Sequence, residues 1–130
     1  MAFAVRTQGR NILILEDKAG KSTADGNEKY GVGSPGANGF YPLGEFAGGS
    51  AVIELIETAG YAGTCRMYGS LDQSVAKRIQ IGADQSYGAS TSYTFQISKL
   101  GEYLGITFQR STSNTTVVWK ITITKACGTM

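Results

Sequence analysis

From residue 63 onward, apolar side chains recur at every second position. That rhythm constrains the fold more than any other feature of the chain. Gly63–Gly69 sets Cys65 and Met67 on one side and Thr64, Arg66 and Tyr68 on the other. Ala76–Ile81 places Ile79 and Ile81 together, and Thr91–Ser98 groups Tyr93, Phe95 and Ile97 against Thr94 and Gln96. Glu102–Arg110 aligns Leu104, Ile106 and Phe108. Thr115–Lys125 aligns Val117, Trp119, Ile121 and Ile123 against Lys120, Thr122 and Thr124. A period of two is the signature of strands with one buried and one wet face. Polar or glycine-containing breaks at Ser70–Ser74, Gly82–Asp84, Lys99–Gly101 and Ser111–Asn114 separate the segments. Short strands at such spacing predict an all-β, antiparallel sandwich of jelly-roll type.

The first half adds two strands. Asn11–Glu16 is a short Ile/Leu run, and Ala51–Thr58 is read as a strand because β-branched residues open it and glycines bound it. Together these segments predict a core of Ile12, Ile14, Ile53, Leu55, Cys65, Met67, Ile79, Ile81, Phe95, Ile97, Leu104, Ile106, Phe108, Trp119, Ile121 and Ile123. At 130 residues the chain reads as a single domain, 1–130.

Asp17–Ser50 breaks the pattern. It holds 9 of the 18 glycines and both prolines, and neither period is visible in it. It predicts a long glycine-rich N-terminal loop. Tyr30, Phe40, Tyr41 and Phe46 make it too apolar for a plain linker, so these aromatics are the candidate partner contacts. The plainer alternative is that they fold back over the domain's own sheet.

Composition removes most chemistry. The chain has no histidine, which eliminates Ser-His-Asp triads, Cys-His dyads and His-ligated metals. Gly31–Gly36 spells GxGxxG, but no strand precedes it, no helix follows it and Pro35 sits inside it, so it reads as a turn. Asp72, Asp84 and Glu102 fall in or beside turns, and nothing in their spacing forces two of them together. Tyr61, Tyr68, Tyr87 and Tyr103 read as packing residues at sheet surfaces rather than as glycan platforms. Cys65 and Cys127 form no CxxC; Cys65 reads as a buried thiol and Cys127 as a terminal one, both reduced.

Net charge is +2, split between −2 for residues 1–65 and +4 for residues 66–130. Arg66, Lys77, Arg78, Arg110 and Lys120 form no run, so nucleic acid is not the expected partner. No segment has the length and apolarity of a membrane span, and MAFAVRTQGR lacks the layout of a signal peptide. Synthesis in a cytoplasm is therefore expected. No catalytic residue, cofactor or metal is expected, and the chain is expected not to be an enzyme.

Tyr61–Ala126 resembles a small β-sandwich module that recurs in tailed-bacteriophage structural proteins. The likeness rests on GTCRMYGSLDQS with its Tyr68–Asp72 strand-to-turn element, AKRIQI, TSYTFQIS, GEYLGITFQRS and TTVVWKITITKA. Where the family often carries a Trp after the Asp turn, this chain has Gln73-Ser74-Val75. The resemblance implies a non-enzymatic virion protein, foremost a capsid decoration (cement) protein. It would form a homotrimer on the capsid surface and clamp the major capsid protein. The alternative it leaves is a tail- or neck-associated receptor- or carbohydrate-binding module.

Overall fold

The computed structural model describes residues 3–23, 28–31, 39–57, 63–71, 77–87, 92–98, 100–109 and 115–126. Among the described residues, eleven strands form two antiparallel sheets. The first sheet orders β1 (Phe3–Gln8), β2 (Ile12–Thr23), β11 (Thr115–Thr124), β5 (Ser50–Glu57) and β9 (Ser92–Ser98) side by side. The second is built on β10 (Tyr103–Gln109) and β6 (Gly63–Ser70). β3 (Lys29–Tyr30) and β4 (Tyr41–Pro42) pair with β10, while β7 (Ile79–Gln80) and β8 (Gln85–Tyr87) pair with β6. The antiparallel sandwich expected from the alternation is the fold.

The core lies between the sheets. β11 supplies Val117, Trp119, Ile121 and Ile123, β5 supplies Ala51, Ile53 and Leu55, and β10 supplies Leu104, Ile106 and Phe108. Cys65 and Met67 join them from β6, as their alternation predicts. The Trp119 ring lies 6.3 Å from that of Phe108, tilted by 38°. The side chain of Phe95, also predicted as core, lies outside the described residues.

Three expectations are corrected. In β2 it is Leu13 and Leu15 that enter the core, whereas Ile12 is half-buried and Ile14 is buried outside the core cluster. An unbroken apolar run does not specify its own inward face; the pairing of Leu13 with Ile123 and Leu15 with Ile121 does. Ile79 is 70% exposed, because β7 is a two-residue edge with no second layer over that position. Ile81 only packs against the core's margin.

The third correction concerns 17–50. Asp17–Thr23 is not loop but the continuation of β2, paired with the start of β11. Between Asp17↔Trp119 and Lys21↔Val117, β2 uses four steps where β11 uses two, so the ladder bulges. That irregularity, with Gly20 inside it, hides the strand from a period-two reading. The described part of the remainder holds β3, β4 and a 3-10 turn at Gly44–Phe46. Residues 24–27 and 32–38 lie outside the described residues.

Candidate functional site

The four aromatics expected to meet a partner separate into two groups. Phe46 is buried in the main core, and Tyr41 packs against it from β4. Tyr30 and Phe40 lie instead on the outer face of the second sheet. Phe40 is 0% exposed and covers Gly105 of β10, where an added Cβ would come within 2.8 Å of the ring. Glycine inside a strand often marks such an approach. Gly39, with φ of +82°, turns the chain there, and a Cβ on it would strike Tyr30 at 2.5 Å. Tyr30 is half-buried, its ring 5.6 Å from Phe40 and 6.4 Å from Tyr68. The plainer alternative therefore describes this chain: Phe40 and Phe46 cover its own sheets and are not surface anchors.

Beside this aromatic layer sits an ionic cluster that the sequence reading missed. Glu28, entering β3, accepts hydrogen bonds from Tyr68 Oη at 2.7 Å, Thr107 Oγ1 at 2.8 Å, Arg78 Nη2 at 3.1 Å and Arg66 Nη1 at 3.2 Å. Arg66 also grips Asp84 through Nε at 2.9 Å and Nη2 at 3.1 Å, and donates to Gln109. Gln80 Nε2 donates to the same Asp84 carboxylate at 2.8 Å. Arg78 donates to Tyr30, and its guanidinium lies 4.2 Å from the centre of the Tyr68 ring.

Electrostatics follow the geometry. Burial pushes the Glu28 carboxyl upward, but hydrogen bonds from Tyr68, Thr107 and Arg66 and the charge of Arg78 outweigh it and hold the group below its usual range. Burial, with Glu28 alongside, pushes the Tyr68 phenol up to about 12. The hydrogen bond from Arg66 holds Asp84 low. Two carboxylates thus face two guanidiniums, and each of the four holds a partner. The arrangement fastens residues 28–31 onto β6 and β10; none of its groups is poised to exchange a proton near neutral pH. Gly105, which leaves the outer face of β10 without a side chain where Phe40 lies, was the available sequence signal.

A second feature lies past the end of β6. Gly69, Ser70, Leu71, Lys77, Ile79, Ile81 and Gly101 line an open hollow of about 270 Å³. Leu71 is 75% exposed and Ile79 70%, an apolar pair left in water. Among the described residues no cluster of acidic or cysteine side chains is arranged to hold a metal ion. No helix among them is long and apolar enough to cross a membrane. Cys65 is a buried free thiol, and burial pushes it up to about 12 despite the opposing charge of Arg66. Cys127 and Asp72 lie outside the described residues.

No protein-family model matches the chain, and no curated protein sequence matches it. Among solved structures it is similar to a cupin domain from Bordetella pertussis Tohama I, at 10% identity and a TM-score of 0.38, covering 96% of this chain and 92% of that one. It is similar to the Tobacco streak virus coat protein dimer at 18% identity and 0.39, covering 92% and 89%. The cupin domain of Schizosaccharomyces pombe Cnp3 follows at 12% identity and 0.33, covering 95% and 60%. At such scores these likenesses carry no argument about what this chain does.

Proposed function

We propose that the chain is a non-enzymatic structural protein of a tailed-phage virion, a capsid decoration protein that binds the major capsid protein as a homo-oligomer. The observation that carries this reading is the exposed pair Leu71 and Ile79 at the rim of an apolar hollow. Large exposed aliphatic side chains lining one hollow are what a protein partner covers. The resemblance of Tyr61–Ala126 to phage sandwich modules supports it, since that stretch supplies every residue that lines the hollow. So does the commitment of Glu28, Arg66, Arg78 and Asp84 to one another. A receptor- or carbohydrate-binding module calls for aromatic rings standing free on one face; Phe40 and Tyr68 are buried and Tyr30 is half-buried.

The test is the double substitution Leu71→Asp/Ile79→Asp, added to heads that lack the protein. Both positions are exposed, so the fold is expected to survive, as circular dichroism would verify. Head occupancy should fall at least tenfold, from two buried aliphatic contacts at about 1.5 kcal/mol or more each. Wild-type occupancy by the folded variant would overturn the reading.

A further inference from the structure

The described strands leave four sheet edges, and three are guarded. β1 carries Arg6, which pairs with Glu16 Oε2 at 2.9 Å. The second sheet ends in β3 and β4 on one side and β7 and β8 on the other, each only two or three residues long. Short strands and edge charges are how native sheets avoid pairing with other chains. β9 has neither protection. It is seven residues long, contains no charge and no proline, and pairs with β5 alone among the described strands.

Its sequence is also symmetric in character. Ser92-Tyr93-Thr94-Phe95-Gln96-Ile97-Ser98 reads polar, apolar, polar, apolar, polar, apolar, polar in either direction about Phe95. Thr94 and Gln96 are exposed, while positions 93, 95 and 97 share register with the buried Leu55, Ile53 and Ala51. An antiparallel pairing of two copies about Phe95 would set Ser92 opposite Ser98, Tyr93 opposite Ile97 and Thr94 opposite Gln96. Each pair recurs in reverse, as a two-fold interface requires. The axis stands perpendicular to the sheet, so like faces remain on the same side, and no charge opposes another.

We propose that β9 is the contact between two copies of this chain, joining their five-stranded sheets into one of ten strands by edge pairing centred on Phe95. The contact is independent of the virion reading. It makes a dimer, in place of the trimer that the family resemblance implies.

Light scattering on the full chain after size exclusion should give twice the chain mass of 13.8 kDa. Thr94→Lys/Gln96→Lys adds only exposed charge to a single copy but sets two pairs of lysines against each other in the dimer. Dimerisation should weaken about tenfold or more. A second arm keeps the register testable. In a Cys127→Ser background, Thr94→Cys/Gln96→Cys should crosslink two copies under mild oxidation. Directly opposed Cα atoms in an antiparallel pair lie about 4.5–5.5 Å apart, within disulfide reach. Thr94→Cys alone should not crosslink, since its opposite position is Gln96. A monomer at all micromolar concentrations, a trimer, or a dimer that neither the lysines nor the cysteines affect would overturn the proposal. Crosslinking by Thr94→Cys alone would overturn the register.

Discussion

Phe40 offers the sharpest test of how residues 28–31 and 39–46 are held. If the ring lies on Gly105 as the structure shows, Phe40→Ala removes a fully buried aromatic and its tilted contact with Tyr30. Truncations of this kind cost about 3–5 kcal/mol. Phe40 lies on one face of a sheet rather than between two, so about 3 kcal/mol is expected, out of a total stability of about 5–15 kcal/mol. Gly105→Ala attacks the same contact from below. Its methyl would arrive 2.8 Å from Cε1 and 3.0 Å from Cδ1 of the ring, and such overpacking costs about 1–3 kcal/mol. The two costs should not add. In the double variant the methyl enters the space Phe40 has left, and the loss should stay near 3 kcal/mol, a coupling of about 2 kcal/mol. Urea unfolding followed by fluorescence of the single tryptophan, the buried Trp119, measures all four corners of the cycle. A Phe40→Ala cost under about 1 kcal/mol, or strictly additive losses, would show that Phe40 does not rest on β10.

Other outcomes follow from the same structure. Trp119→Ala should lose about 3–5 kcal/mol, because its ring is buried among β10 and β11 side chains; a change within error would mean a shifted register. Glu28 is held below its usual range when folded, so its contribution is present above the unfolded value of about 4.3 and vanishes as pH falls through the folded one. Stability should therefore decline on acidification below about pH 5, and Glu28→Gln should flatten that part of the profile while lowering stability at neutral pH by about 1–3 kcal/mol. An unchanged acid limb would remove Glu28 from the ionic cluster's centre. Cys65, pushed up to about 12, should resist thiol reagents at pH 8 in the native protein and react once urea unfolds it; rapid native labelling would contradict its burial.

The period-two alternation of β6, β9, β10 and β11 made the fold class legible, because alternation is a local property that each strand carries in its own residues. Cys65, Met67, Trp119 and Ile121 were placed in the core by counting alone. The inward face of β2 was not legible, since Ile12–Leu15 is apolar on both sides and only pairing with β11 chooses between them. The second half of β2 was hidden for a related reason: its partner lies about a hundred residues away, and a bulge breaks its rhythm. The exposed hollow at Leu71 and Ile79 arises because β7 is a short edge, which no count along the chain reveals. The ionic cluster is the clearest case of tertiary decision. Glu28, Arg66, Arg78, Asp84 and Thr107 are scattered over 80 positions of sequence, and each alone reads as an ordinary surface side chain. Only when β3 pairs with β10 do they meet, because a charge is stabilised by partners brought close in space, whatever their separation along the chain.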